Sequence, residues 1–428
     1  MHRVCVINVV GLTPALLPHA PRLAAIGEAR PWQSPLPAVT STCQATMLTG
    51  LPPAKHGIVA NGWYYRDTQE IRFWQQANSL VQGEMLYEGF ETAKMFWWFN
   101  QGALVTYSVT PKPHYGCDGS KVFDIIDRTG CDLQRRLGSF PFFSFWGPSA
   151  GLPASAWIAK ATAIVMRERR PQLTLAYLPH LDYDFQRFAH QDLERVREVD
   201  ACAAEIIDAA HETDTQVVVV SEYGLRPVSQ PVHLNRELRQ RGWLQVRDGP
   251  FGERLLPGES QAFAVADHQL AHVYVRRPEL VAEVRRHLEQ VDGVDQVVTS
   301  ETIDLHHPRS GELVVLAKPS AWFTYYYWLD DARAPDFART VDIHRKPGYD
   351  PCELFMTSKL RAMGRLLQKQ LGMRYKMDVI PLQPERVQGS HGAPGPPEHG
   401  PVVIGPGDPP GDMQDFKAYV RGLLKSPA

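Results

Sequence analysis

The chain has 428 residues, 44% of them hydrophobic and 21% charged, with a formal charge of −2. Such a chain buries a sizeable core without disulfide or metal staples, and its near-neutral charge gives no footprint for nucleic acid or for an acidic membrane surface. Six cysteines lie without Cys-x-x-Cys spacing, which argues against a zinc knuckle or redox pair and reads as reduced thiols. No apolar run approaches a membrane span and the N-terminal apolar region is too short for a signal peptide, so a cytoplasmic, enzyme-sized protein is expected.

Residues 4–10 form a continuous apolar run broken only by Asn8 and closed by Gly11, the pattern of a central parallel strand buried on both faces. Residues 15–29 are apolar-periodic and are expected as the crossover helix. Pro37 closes an extended approach to Thr40, a natural N-cap for the short run Cys43, Met47, Leu48, which Gly50 terminates. A hydroxyl at a helix N-terminus faces free N–H groups and the positive end of the dipole, so an oxygen nucleophile attacking an anionic phosphoryl group is well served there.

Residues 63–146 are rich in aromatics and are interrupted by Pro111, Pro113, Gly116 and Gly119, which suggests an irregular cap. Trp63, Tyr64, Trp97 and Trp98 are its candidate substrate-binding wall, although aromatics more often fill a cap's own core. Residues 154–170 have helical spacing. A strand at 173–178 then delivers the segment holding His180, Asp182, Asp184 and Gln186 to the carboxyl edge, where open α/β sheets bind ligands. A long helix over 191–212 and a strand over 216–220 follow, delivering Ser221-Glu222-Tyr223-Gly224.

Residues 263–320 read as a smaller α/β insert, with strands at 271–275, 296–300 and 312–317 and a helix at 279–290. His268 and His272 are four apart, but Val273-Tyr274-Val275 argues for a strand rather than a metal-binding helix face. Residues 356–371 place Leu360, Met363, Leu367 and Leu371 in helical register. His344 precedes Gly348-Tyr349-Asp350-Pro351, and His391 lies in Ser390-His391-Gly392 ahead of a Pro-led apolar strand. Residues 412–425 read as a short amphipathic helix.

The stretch from Thr40 through Thr49-Gly50-Leu51-Pro52-Pro53-Ala54-Lys55-His56-Gly57-Ile58-Val59-Ala60-Asn61 resembles the nucleophile segment of the type I phosphodiesterase/nucleotide pyrophosphatase branch of the alkaline phosphatase superfamily, without gaps over roughly 25 residues. The resemblance implies an alkaline-phosphatase-like α/β/α sandwich with a mostly parallel central sheet. Residues 1–62, 151–262 and 321–428 would form its core, 63–150 an aromatic-rich cap and 263–320 the insert. It implies Thr40 as nucleophile and Asn61 as the amide that holds a phosphoryl oxygen.

The family binds a pair of divalent ions through three Asp and three His. At those positions this chain has Val10, Asp182, Gln186, Glu222, Tyr223 and His391, with His344 the alternative to His391. Val10 cannot bind a metal and a neutral phenol is a poor ligand. One divalent ion (Mg²⁺, Mn²⁺ or Zn²⁺) is therefore expected, at Asp182, Gln186 and the histidine, with Asp184 and His180 as possible supplements. The functional expectation is a divergent phosphoric ester hydrolase acting on a small-molecule phosphate ester. The alternative is a non-catalytic binding or carrier protein that keeps the fold and pocket but has lost the two-metal centre. Nothing in the sequence fixes the oligomeric state.

Overall fold

The apolar run at the start of the chain forms the strand Arg3–Val9, and Val4, Cys5, Val6, Ile7, Asn8 and Val9 are all fully buried. Burial of consecutive residues means that both faces of the strand are covered. Each Val or Ile so buried contributes about 1.5–3 kcal/mol. The computed structural model describes residues 2–117, 121–188 and 193–425. The chain divides into two compact units, one of Met1–Ile58, Gln76–Leu225 and Pro394–Ala428, the other of Val59–Gln75 and Arg226–Ala393.

The first unit is built on an eight-stranded sheet, ordered Glu28–Pro31, Val402–Gly405, Thr215–Val220, Arg3–Val9, Leu173–Leu178, Thr92–Met95, Tyr107–Pro111 and Ile125–Asp127. The five inner strands from Thr215–Val220 to Tyr107–Pro111 pair in parallel, and the outer three join antiparallel. Register places Asn8 opposite both Tyr177 and Val220. The segments that leave the three central strands therefore emerge side by side at one carboxyl edge. The helices Leu152–Arg169 and Leu193–Glu212 pack on each other, and Phe416–Lys425 packs on Thr40–Thr49 and on the first strand. The expected start of the long helix, at 191, lies outside the described residues.

Residues 15–29 and the aromatic-rich stretch differ from the sequence expectation. Residues 15–29 form no crossover helix: a 3₁₀ segment Pro14–His19 and one turn Pro21–Ala24 lead into the edge strand Glu28–Pro31. Pro18 and Pro21 withhold the N–H groups that a continuous helix would need. The aromatic-rich stretch after residue 63 is also not wholly irregular, because Thr92–Met95, Tyr107–Pro111 and Ile125–Asp127 all enter the main sheet. Their short lengths and the intervening Gly and Pro hide the strand period.

The second unit contains a four-stranded antiparallel sheet ordered Ala262–Asp267, Leu270–Val275, Leu313–Ala317 and Val294–Thr299, with the helix Val281–Leu288 between its strands in sequence. The last three strands and the helix fall where the alternation in 263–320 placed them, and Ala262–Asp267 is a further strand that the sequence reading did not mark. The first two strands form a hairpin that turns on His268, which has a left-handed backbone (φ 61°), and Gln269. His272 therefore lies on a strand.

Candidate active site

Thr40 is the first residue of the helix Thr40–Thr49, and the cap position belongs to Val39, which is extended. No side chain caps this helix, so the expectation that Thr40 serves as the N-cap is corrected. Gly50 ends the helix in the left-handed conformation (φ 70°), the role glycine fills at low cost. Released from capping, the buried Thr40 hydroxyl lies 2.9 Å from the hydroxyl of Tyr223.

Tyr223 follows the strand Thr215–Val220, next to Glu222. The Glu222 carboxyl is fully buried, and its Oε1 accepts hydrogen bonds from Asn8 Nδ2 at 2.6 Å and Gln44 Nε2 at 2.7 Å. Gln44 is one helical turn beyond Thr40, and its own carbonyl oxygen accepts from the Trp98 backbone N–H at 2.8 Å. The segment after Leu178 forms the helix His180–Phe188, which puts Asp182 and Gln186 one turn apart on the same face. Gln186 Nε2 donates to Asp182 Oδ2 at 2.8 Å. Gly11, at the end of the first strand, has φ +85°, and a Cβ there would lie 3.6 Å from the Asp182 nitrogen. A side chain at this tight turn would be strained by the left-handed backbone.

The electrostatics follow from burial. Desolvation, followed by the nearby Glu222 charge, raises the Asp182 pKa to about 8. Desolvation raises that of Glu222 to about 7, against the lowering effect of hydrogen bonds from Gln44, Asn8 and Thr40. Burial, then the charges of Asp182 and Glu222, holds the Tyr223 phenol well above its ordinary value. It is therefore a neutral donor or acceptor at neutral pH.

These residues do not fit a pair of divalent ions. Two-metal centres need several anionic or imidazole ligands turned toward the ions. Here one oxygen of each carboxylate faces amide donors: Asn8 and Gln44 on Glu222 Oε1, and Gln186 on Asp182 Oδ2. Val10 is apolar and fully buried. Tyr223 occupies the Thr40 hydroxyl. Among the described residues, no group of three or more His, Cys, Asp or Glu is arranged to hold a metal. Of the two expected supplements, Asp184 pairs with Arg187 at 2.6 Å and lies 3.7 Å from Arg195, while burial keeps His180 neutral by lowering its pKa to about 3.

Asn61, His344 and His391 belong to the second unit. Asn61 is held by Asp267, which accepts its backbone N–H at 2.7 Å and its side-chain amide at 3.1 Å. His391 is buried, its ring 3.6 Å from that of His268, and His268 stacks in turn on Tyr349 at 3.7 Å. His344 is exposed and borders a surface cavity of about 550 Å³ with Arg72, Arg254 and Arg345.

The four aromatic candidates are all buried in packing. Trp97 donates its indole N–H to Ala176 O at 3.0 Å, and Trp98 lies beside it in the first unit. In the second unit, Trp63 stacks on Tyr65, and Tyr64 packs edge-on against Phe263 and Tyr274. Asn8 and Gln44, which hold Glu222, and Asp267, which holds Asn61, are not among the sequence candidates, and His268, set aside there as a metal ligand, packs on His391. Asn8 did leave a signal, as a polar break in a strand buried on both faces.

A mostly parallel sheet with a hydroxyl-bearing helix start beside its carboxyl edge defines an alkaline-phosphatase-like α/β protein. The sequence profile of type I phosphodiesterase / nucleotide pyrophosphatase matches residues 4–350, and the chain belongs to that family. Phosphonoacetate hydrolase from Sinorhizobium meliloti 1021, solved with phosphonoacetate, superposes with a TM-score of 0.63 at 16% identity, over 99% of this chain and 96% of that one. Murine ectonucleotide pyrophosphatase / phosphodiesterase 5, solved in an inactive form with AMP, gives 0.58 at 13% identity, over 99% and 95%. At these identities the likeness shows the fold. No curated protein matches the sequence significantly. Family membership supports phosphoric ester hydrolysis as the class of reaction, in a family that is metal-dependent.

Proposed function

We infer that the chain is a divergent phosphoric ester hydrolase with Thr40 as its nucleophile and a small-molecule phosphate ester as its substrate. The observation that carries this reading is the placement of Thr40. Its hydroxyl sits at a helix start, is not used for capping, and is held 2.9 Å from the Tyr223 hydroxyl. The first N–H groups of the helix and the positive end of its dipole suit the oxygens of a transferring phosphoryl group.

In the proposed reaction the Thr40 oxygen bonds to phosphorus as the ester oxygen leaves, and water then cleaves the phosphothreonine to release phosphate or its monoester. Asn61, oriented by Asp267, is proposed to hold a phosphoryl oxygen. Because the donor set does not fit two ions, no step passes through a metal. At most one divalent ion is proposed, in the first unit at Asp182, with Gln186 turned to offer its oxygen. A cytoplasmic location is supported by six cysteines that form no disulfide, and among the described residues no helix is long and apolar enough to cross a membrane.

The amide donors on Glu222 and Asp182 favour a second reading, a binding or carrier protein. Turnover of p-nitrophenyl phosphate and bis-p-nitrophenyl phosphate separates the two. As a nucleophile, Thr40→Ala abolishes turnover and phosphothreonine formation, costs about 1–3 kcal/mol of stability for the lost hydrogen bonds to Tyr223 and Glu222, and Thr40→Ser keeps part of the rate. A wild-type protein that binds these esters but turns over neither, with or without added Mg²⁺, Mn²⁺ or Zn²⁺, is a carrier.

A further inference from the structure

The helix Lys359–Gln370 in the second unit is amphipathic the wrong way round. An ordinary surface helix turns its apolar stripe to the core. Here Leu360, Met363, Leu367 and Leu371, at i, i+3, i+7 and i+11, share one face, yet they are 77%, 61%, 56% and 65% exposed, and the helix has no buried residue. It is held to its unit from another side. Arg361 and Arg365 both pair with Asp378, with Arg365 Nε 2.8 Å from Asp378 Oδ1 and Arg361 Nε donating to Asp378 O at 2.8 Å. Met373 and Tyr375 extend the exposed apolar surface past the helix end.

The charge of this segment is equally one-sided. Between Glu353 and Asp378 there is no acidic residue, whereas Lys359, Arg361, Arg365, Lys369, Arg374 and Lys376 are all basic. Asp378 answers only Arg361 and Arg365. A cavity of about 590 Å³ opens beside the segment, with Arg365, Arg374, Tyr375 and Lys376 among its walls.

We propose that the segment 359–376 lies on the surface of an anionic membrane, with the leucine and methionine ridge in the headgroup boundary and Lys359, Lys369, Arg374 and Lys376 on lipid phosphates. An exposed convex apolar ridge flanked by cations complements a negatively charged interface, and such a helix lies in the interface without spanning it. The recess lined by Arg374 and Lys376 gives a phosphorylated headgroup a place to sit. The proposal is independent of the hydrolase reading, since no residue of the candidate active site takes part.

The test is co-sedimentation of the full chain with phosphatidylcholine vesicles, with and without phosphatidylserine. Binding is expected only to the phosphatidylserine vesicles, and added salt should weaken it. The Leu367→Glu/Leu371→Glu variant should bind about tenfold more weakly or worse, and Lys369→Glu/Lys376→Glu likewise. Both pairs are solvent-facing, and unchanged circular dichroism verifies folding. Three results overturn the proposal: no sedimentation of the folded wild type with phosphatidylserine vesicles, sedimentation that both variants leave unchanged, or a dimer in light scattering that the leucine variant dissolves while vesicles capture nothing. The last would mean that a second copy covers the ridge.

Discussion

Lys94 shows how strongly a single buried group can mark the pH behaviour of this fold. It lies in the strand Thr92–Met95, fully buried, its Nζ donating to Phe99 O at 2.9 Å and standing 5.4 Å from the Tyr87 ring centroid. Burial lowers its pKa to about 7, against 10.5 for an ordinary lysine. The folded chain therefore sheds the proton before the unfolded chain does. Below about pH 7 both states are protonated and the fold bears the full cost of a buried charge; between about 7 and 10.5 that cost falls as pH rises. Glu222 acts oppositely in a lower window. Its pKa is raised from 4.5 to about 7, so its contribution to stability is lost as pH rises through that range. Lys94→Met should remove the upward slope between pH 7 and 10 in urea-melt stability and stabilise the neutral-pH protein by a few kcal/mol. An unchanged slope would mean that Lys94 is charged in the folded protein.

At the scale of elements, the sequence was legible where one physical rule dominates. The both-face burial of Arg3–Val9, the strand at 271–275 and the glycine stop at Gly50 all follow from apolar run length or backbone freedom. It was less legible where a tertiary partner decides. Thr40 reads as a cap because threonine caps helices well, and only the fold brings Tyr223 within reach of its hydroxyl. The amides of Asn8 and Gln44 are 214 and 178 residues from Glu222 in sequence, and no local pattern could pair them with it. The same holds for Lys346, which lies within an ordinary polar loop by sequence. It is fully enclosed, with Nζ 2.7 Å from both Asp350 and Glu353 as the chain enters the turn Pro351–Leu354. Lys346→Met leaves two buried carboxylates without their cation and should cost about 3–5 kcal/mol in denaturant unfolding. A loss below about 1 kcal/mol would place this triad among the weak, solvated ion pairs.

For the whole molecule, averages mislead in two ways. The formal charge of −2 hides the acid-free segment between Glu353 and Asp378, so a chain that is neutral overall still presents a basic, apolar surface. The family match over 4–350 likewise implies a metal centre, yet Glu222 Oε1 and Asp182 Oδ2 accept from side-chain amides and the Tyr223 phenol meets the Thr40 hydroxyl. On the proposed reading, these neutral donors answer part of the charge that cations would have balanced. Putting the ligands back tests this account. Val10→Asp with Tyr223→His adds a third carboxylate beside Asp182 and Glu222, together with an imidazole beside Thr40. Without metal, crowded buried carboxylates should lower the melting temperature of the double variant. With saturating Mn²⁺ or Zn²⁺, ion binding to the folded state should raise it again, by about 4 kcal/mol of stability at a thousandfold excess over Kd. The wild type should shift little and hold at most one ion by elemental analysis. If the wild type shifts as far as the variant, or holds two ions, its own side chains rearrange to build the centre and the exchange of cations for amides is wrong. If the variant gains ions and phosphodiesterase rate together, Thr40 is the nucleophile of a hydrolase weakened by lost ligands; if it gains ions and stays inert, the pocket binds without catalysing.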